Sequence, residues 1–141
     1  MAMRLWHTYL IDVLPREQLV GQWRECSALC SNLISKGTPS HVLCNFIIDY
    51  DYNHFISYAY YIRQEMTRRG YRTMNNVWDK IVSLKPNWEL LDKEKIYYEK
   101  MNSEYLTICY YNLYEKFLCG GIHQDDWNRI ELWRDTYRGH N

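Results

Sequence analysis

Apolar residues recur along most of this chain at spacings of three and four, the mark of helices that bury one face. Leu19, Val20, Trp23, Cys26, Cys30 and Leu33 keep that spacing, with Pro15 suited to the first turn and Lys36-Gly37-Thr38-Pro39 closing the helix. Thr38 and Pro39 also signal a second start, ahead of the apolar run Val42 to Ile48. That run is short and rich in Ile, Val and Phe, so a helix and a buried strand both remain open. Asn53 as cap opens a longer helix whose stripe is Phe55, Ala59, Ile62 and Met66. Arg63, Arg68 and Arg69 crowd its last turns before Gly70, where cations complement the helix dipole. A short helix around Val77 to Leu84 stops ahead of Pro86, and 85–102 reads as a charge-dense loop with some helix. Ser103 begins another helix, carrying Leu106, Tyr110, Leu113 and Phe117 to the stop at Gly120-Gly121. Asp125 caps the last, which bears Trp127, Ile130, Trp133 and Tyr137. Hairpin-linked alternating strands, repeats and low-complexity tracts are absent, so the predicted class is all-α.

Length and composition narrow this further. The 141 residues suit one domain spanning 1–141, enough for a single core. No stretch approaches the roughly 18 consecutive apolar residues that span a bilayer, and a cytoplasmic protein without membrane association is expected. Five cysteines at irregular spacing, Cys26, Cys30, Cys44, Cys109 and Cys119, argue against a disulfide framework. Cys26 and Cys30 lie one helical turn apart; they are either buried small hydrophobes or half of a metal site completed by a His. With no second ligand at a recognisable spacing to accompany His7, no metal is expected. Fourteen Tyr and six Trp against three Phe suit either the shell of a small core or a wet groove. Net charge is zero, yet residues 1–85 hold 10 Lys and Arg against 7 Asp and Glu, while 86–141 hold 7 against 10. That asymmetry permits a basic face and equally permits ordinary solvated surface.

On a helical wheel of the first helix, Gln18, Gly21, Gln22 and Glu25 fall along a polar flank beside the apolar stripe. Glycine in a helix interior costs about 1 kcal/mol relative to alanine. Gly21 therefore either lets two helices pack, with Glu25 solvated, or leaves a gap for a ligand one turn before a carboxylate.

Met3-Arg4-Leu5-Trp6-His7 and then Leu14-Pro15-Arg16-Glu17-Gln18-Leu19-Val20-Gly21-Gln22-Trp23-Arg24-Glu25 resemble the opening of the pyrimidine-dimer DNA glycosylases of the endonuclease V type. His41-Val42, Arg68-Arg69-Gly70-Tyr71, Cys109 to Lys116 and Cys119-Gly120-Gly121-Ile122 are similar to the bacterial branch of that family. The resemblance implies a compact helical bundle whose N-terminal segment packs against the first long helix. It also implies a glycosylase and abasic-site lyase that attacks the sugar C1′ through its own α-amine and forms a Schiff base, without a cofactor.

By the same resemblance Glu25 is the acidic catalyst, Arg4 and Arg24 hold phosphates flanking the lesion, and His41 lies beside the DNA-binding groove unless it is structural; Gln18 and Gln22, on the flank with Glu25, are further expected DNA contacts. The expected partner is damaged double-stranded DNA, bound by a monomer. An α-amine, with an ordinary pKa of about 7.7 to 8.0 against about 10.4 for Lys, is far more often unprotonated near neutral pH. The family pattern sets the reactive residue immediately before the arginine, which is Met3 here; a chain that keeps Ala2 carries its free amine one residue further out. Ala28 stands where the pattern has a further arginine, which points to a shifted lesion preference. The competing expectation is a non-enzymatic helical module that binds nucleotide, nucleic acid or protein through a Tyr-rich groove.

Overall fold

The computed structural model describes residues 3–138, with the side chains of residues 137 and 138 left aside; Ala2, one of the candidate nucleophiles, lies outside the described residues. Five α-helices follow one another: α1 (Arg16–Lys36), α2 (Tyr52–Arg68), α3 (Asn75–Val82), α4 (Ser103–Leu118) and α5 (Gln124–Arg138). Shorter 3-10 segments cover Thr8–Val13, Asn45–Asp49 and Lys93–Lys95, and no strand occurs among the described residues. The fold is all-α, as the periodicity predicts. No helix of the described residues is long and apolar enough to cross a membrane.

Most of the predicted stripe positions are buried in the core; Val20, Phe117 and Trp133 are partly buried against it, and the side chain of Tyr137 lies outside the described residues. Leu19, Trp23, Cys26, Leu29, Cys30 and Leu33 of α1 pack on α2, which contributes Phe55, Ile56, Ala59, Ile62 and Met66. Phe117 of α4 stacks on Trp127 of α5 at 5.0 Å between ring centroids. Cys26, Cys30, Cys44 and Cys109 are buried free thiols, each pushed up by burial, and no group of three potential metal ligands occurs among the described residues. Gly37 ends α1 in the left-handed conformation at φ 72°, its N–H closing on Leu33 O.

Several boundaries differ from expectation, each for a local reason. The Val42–Ile48 run forms neither an α-helix nor a strand. Only Cys44 and Ile47 are buried there, Val42 is 87 % exposed, and the chain makes a single 3-10 turn over Asn45–Asp49. The cap of α2 is Asp51, which accepts the Asn53 N–H at 2.7 Å, while Asn53 turns outward to accept Glu89 N–H at 2.8 Å. Asp125 sits within the first turn of α5, and His123 Nδ1 accepts its N–H instead. Arg69 does more than face the α2 dipole. It donates to Glu65 at 2.6 Å and to the carbonyls of Leu14, Asp12 and Ile11, tying the Thr8–Val13 turn to the end of α2. Burial alone would push the Glu65 carboxyl up, but the hydrogen bonds from Arg68 and Arg69 outweigh it and hold it below the usual range.

Residues 3–7 belong to no helix or strand, so their backbone groups need side-chain partners. They have them. Met3 O accepts the Cys44 thiol at 3.6 Å, Arg4 O accepts Gln22 Nε2–H at 3.0 Å, and Leu5 O accepts the Tyr105 hydroxyl. Trp6 O accepts the Tyr58 hydroxyl at 2.6 Å, and His7 O accepts Leu10 N–H at 2.9 Å. On the donor side, Trp6 N–H goes to Gln22 Oε1 at 2.7 Å, while the N–H groups of Arg4, Leu5 and His7 face Glu25, Cys44 and Cys109.

His7 itself is buried. Its Nδ1 accepts Tyr9 N–H at 3.1 Å while the ring faces the Met101 and Asn102 carbonyls, and burial depresses its pKa to about 4. The folded state therefore holds it neutral, and as pH falls below about 6.5 the unfolded chain takes up a proton that the folded chain refuses until about pH 4. Across that window His7 should remove roughly 3 kcal/mol of stability. Urea unfolding measured between pH 7 and pH 4 should show a shallower fall for His7→Asn, by up to one proton in slope; equal slopes would contradict this account.

Candidate functional site

The clasp of the N-terminal segment onto α1 leaves an open cleft of about 560 Å³ beside it. Arg4 and Trp6 form one side, Glu17, Gln18, Gly21, Arg24 and Glu25 of α1 the floor, and Asn112 and Lys116 of α4 the far wall. Three cations thus surround two carboxylates, a locally positive site on a chain of zero net charge.

Glu25 is half-buried at the centre. One oxygen accepts Gln22 Nε2–H at 3.0 Å, and the carboxylate faces the Arg4 backbone N–H. Burial pushes its pKa up; the bonds from Gln22 and Arg4 N–H and the charges of Lys116 and Arg4 hold that rise back. The result is a carboxyl group that keeps its proton to higher pH than a surface glutamate while remaining open to the cleft. Three covalent bonds separate the Arg4 nitrogen from that of Met3, a span under about 4 Å. The Met3 nitrogen therefore lies one residue from the backbone group that faces the Glu25 carboxylate.

Gly21 has no heavy atom within 4 Å of where a Cβ would sit. Helix packing is thus not its reason, and the space it leaves opens into the cleft. Gln18 lines the cleft, and its Oε1 is buried with no hydrogen-bond partner. Arg24 is exposed and makes no ion pair among the described residues. Two expected DNA contacts sit elsewhere. Gln22 is only 1 % exposed, and both ends of its amide are taken by Trp6 N–H, Arg4 O, Glu25 and the Tyr58 hydroxyl, so it is a positioning residue. His41 does not line the cleft. Its N–H donates to Asn45 Oδ1 at 3.2 Å, at the start of the turn that carries Cys44 to Met3.

Asn112 and Lys116 were not singled out by sequence reasoning. They lie four apart in the Cys109–Lys116 segment, the polar pair on one edge of a helix dominated by tyrosine, and that spacing was the available signal. No tyrosine lines the cleft: Tyr58, Tyr97, Tyr105 and Tyr110 are buried in the core instead.

A helical domain that presents a half-buried carboxylate among cations in one open cleft offers a site suited to a phosphate-bearing ligand. Over residues 3–79, more than half of its length, the chain matches the pyrimidine dimer DNA glycosylase family, and it belongs to that family. That match contains the whole N-terminal clasp and α1; the Asn112 and Lys116 wall lies outside it. Comparison with curated proteins and with solved structures returns no match.

Because the space at Gly21 is open, Gly21→Ala should raise stability by about 1 kcal/mol, and Gly21→Phe should fold yet fill the cleft. Thermal melts and duplex-DNA anisotropy check this: Gly21→Phe is expected to melt no lower than the parent while losing at least tenfold in affinity for damaged duplex. Undiminished affinity would mean that DNA does not enter here.

Proposed function

We propose that this chain is a DNA repair glycosylase with abasic-site lyase activity, acting on pyrimidine dimers or related damaged bases in double-stranded DNA through the α-amine of Met3. The observation that carries this reading is that the Arg4 backbone N–H faces Glu25, the half-buried carboxyl group of an open cationic cleft, so residue 3 adjoins the group that meets this carboxylate.

The chemistry follows from that pairing. The neutral amine attacks C1′ and the glycosidic bond breaks, the departing base leaving with the bonding electrons. The sugar ring then opens, O4′ takes a proton, and the nitrogen is left as a protonated imine. Loss of a C2′ proton expels the 3′-phosphate and cuts the strand, and water afterwards releases the amine. Glu25, whose raised pKa suits it to proton exchange nearer neutrality, moves these protons and offsets positive charge on the opening sugar. Arg4, Arg24 and Lys116 hold phosphates, which orients the duplex without reading sequence. The gap at Gly21 gives room for an extruded nucleotide, cheapest to extrude where damage has already weakened the stack.

Borohydride trapping on abasic duplex tests the nucleophile. A chain starting at Met3 should trap efficiently, one starting at Ala2 at least tenfold less, and an acetylated chain not at all. Equal trapping by all three would refute the terminal amine. Glu25→Gln should keep or slightly raise the melting temperature, because a neutral amide replaces a half-buried charge, while strand cleavage falls at least a hundredfold. In the parent, the acid limb of cleavage should lie above the pKa of an ordinary glutamate.

A further inference from the structure

A second concave site lies between α2 and α3, sharing no residue with the Glu25 cleft. Its volume is about 450 Å³, within the range of small-ligand pockets. Tyr60 and Trp78 form its walls, their ring centroids 6.3 Å apart and their planes inclined by 52°, and Trp88 meets Trp78 edge-on at 5.6 Å.

Arg63 projects along Trp78, its guanidinium carbon 5.4 Å from the ring centroid. Thr73 Oγ1 takes its Nε–H at 2.9 Å and Asn75 Oδ1 takes one terminal N–H at 2.7 Å. Both acceptors are neutral, so the guanidinium is oriented with three N–H groups remaining and has no carboxylate partner among the described residues. Arg68 stands beside it and shares its charge with Glu65. Gln64 and Thr67 line the same pocket with side chains that make no hydrogen bond within the described residues.

π-Faces, a pre-oriented cation without a counter-ion and free amide and hydroxyl groups together match a planar heterocycle carrying a phosphate. We propose that this pocket binds a nucleoside 5′-phosphate unit, its base against Tyr60 and Trp78 and its phosphate on Arg63. The unit comes either as a free mononucleotide or as one residue of a single DNA strand. This site is separate from the reaction proposed for the Glu25 cleft and stands whether or not that reaction occurs.

The test uses the full chain with dTMP and a short oligothymidylate, each titrated while the indole N–H signal of Trp78 is followed by NMR. At least one probe should shift that signal saturably: dTMP identifies a free nucleotide, and the oligomer alone identifies a strand. Arg63→Gln and Thr67→Trp, the latter filling the pocket from an exposed position, should each weaken the response at least tenfold. Cleavage of a short damaged duplex should stay unchanged in both variants, which separates this site from the cleft. No shift of Trp78 with either probe, or equal affinity in both variants, would overturn the proposal. A response to phosphotyrosine with neither nucleotide probe active would overturn it in favour of a phosphorylated peptide.

Discussion

The structure depends on an irregular N-terminal segment, residues 3–7, that has no helix or sheet to satisfy its backbone. Every backbone carbonyl from Met3 to His7 finds a partner, mostly in side chains of α1, α2, α4 and the Cys44 turn. An unsatisfied buried amide costs about 1–3 kcal/mol, so this set of bonds fixes where the segment lies as firmly as a ladder would. Gln22 is its hub. One buried amide grips Arg4 and Trp6 and at the same time steadies Glu25, so the bonds that anchor the terminus also aim the carboxylate.

That economy has an energetic cost in the cleft. Glu25 is held half-buried with its pKa raised, and Gly21 weakens the helix in its second turn without any packing gained in return. Both features lower stability and both open the same space. Local choices that oppose folding and converge on one cleft are what a functional site leaves in a sequence. The Glu65 cluster is the counterweight: Arg69 locks the turn leading into α1 onto the end of α2, so the first helix starts from a fixed point.

The helices were legible because their stripes repeat with helical period, and α1 carries its buried face where Leu19, Trp23, Cys26 and Cys30 predict. The flank with Gly21 and Glu25 was legible for the same reason. What periodicity could not give is what a polar residue bonds to. Gln22 and Gln18 sit on the same flank, yet one is sealed inside by four bonds and the other faces the cleft, a distinction made by a segment sixteen or more residues away. Lys116 reaches Glu25 only through the packing of α4, beyond any local signal. Asn53 and Asp125 were mistaken for caps because each stands within two residues of the true one, and the competing Asp51 and His123 are equally able acceptors.

The central claim is that a terminal amine at residue 3 and the Glu25 carboxylate feel each other's charge. Titrating the ¹⁵N-labelled amine of a chain that starts at Met3, with and without Glu25→Gln, tests this most directly. A neighbouring carboxylate favours the charged amine, so its replacement by an amide should lower the amine pKa. An amine that titrates identically in both chains would contradict the account.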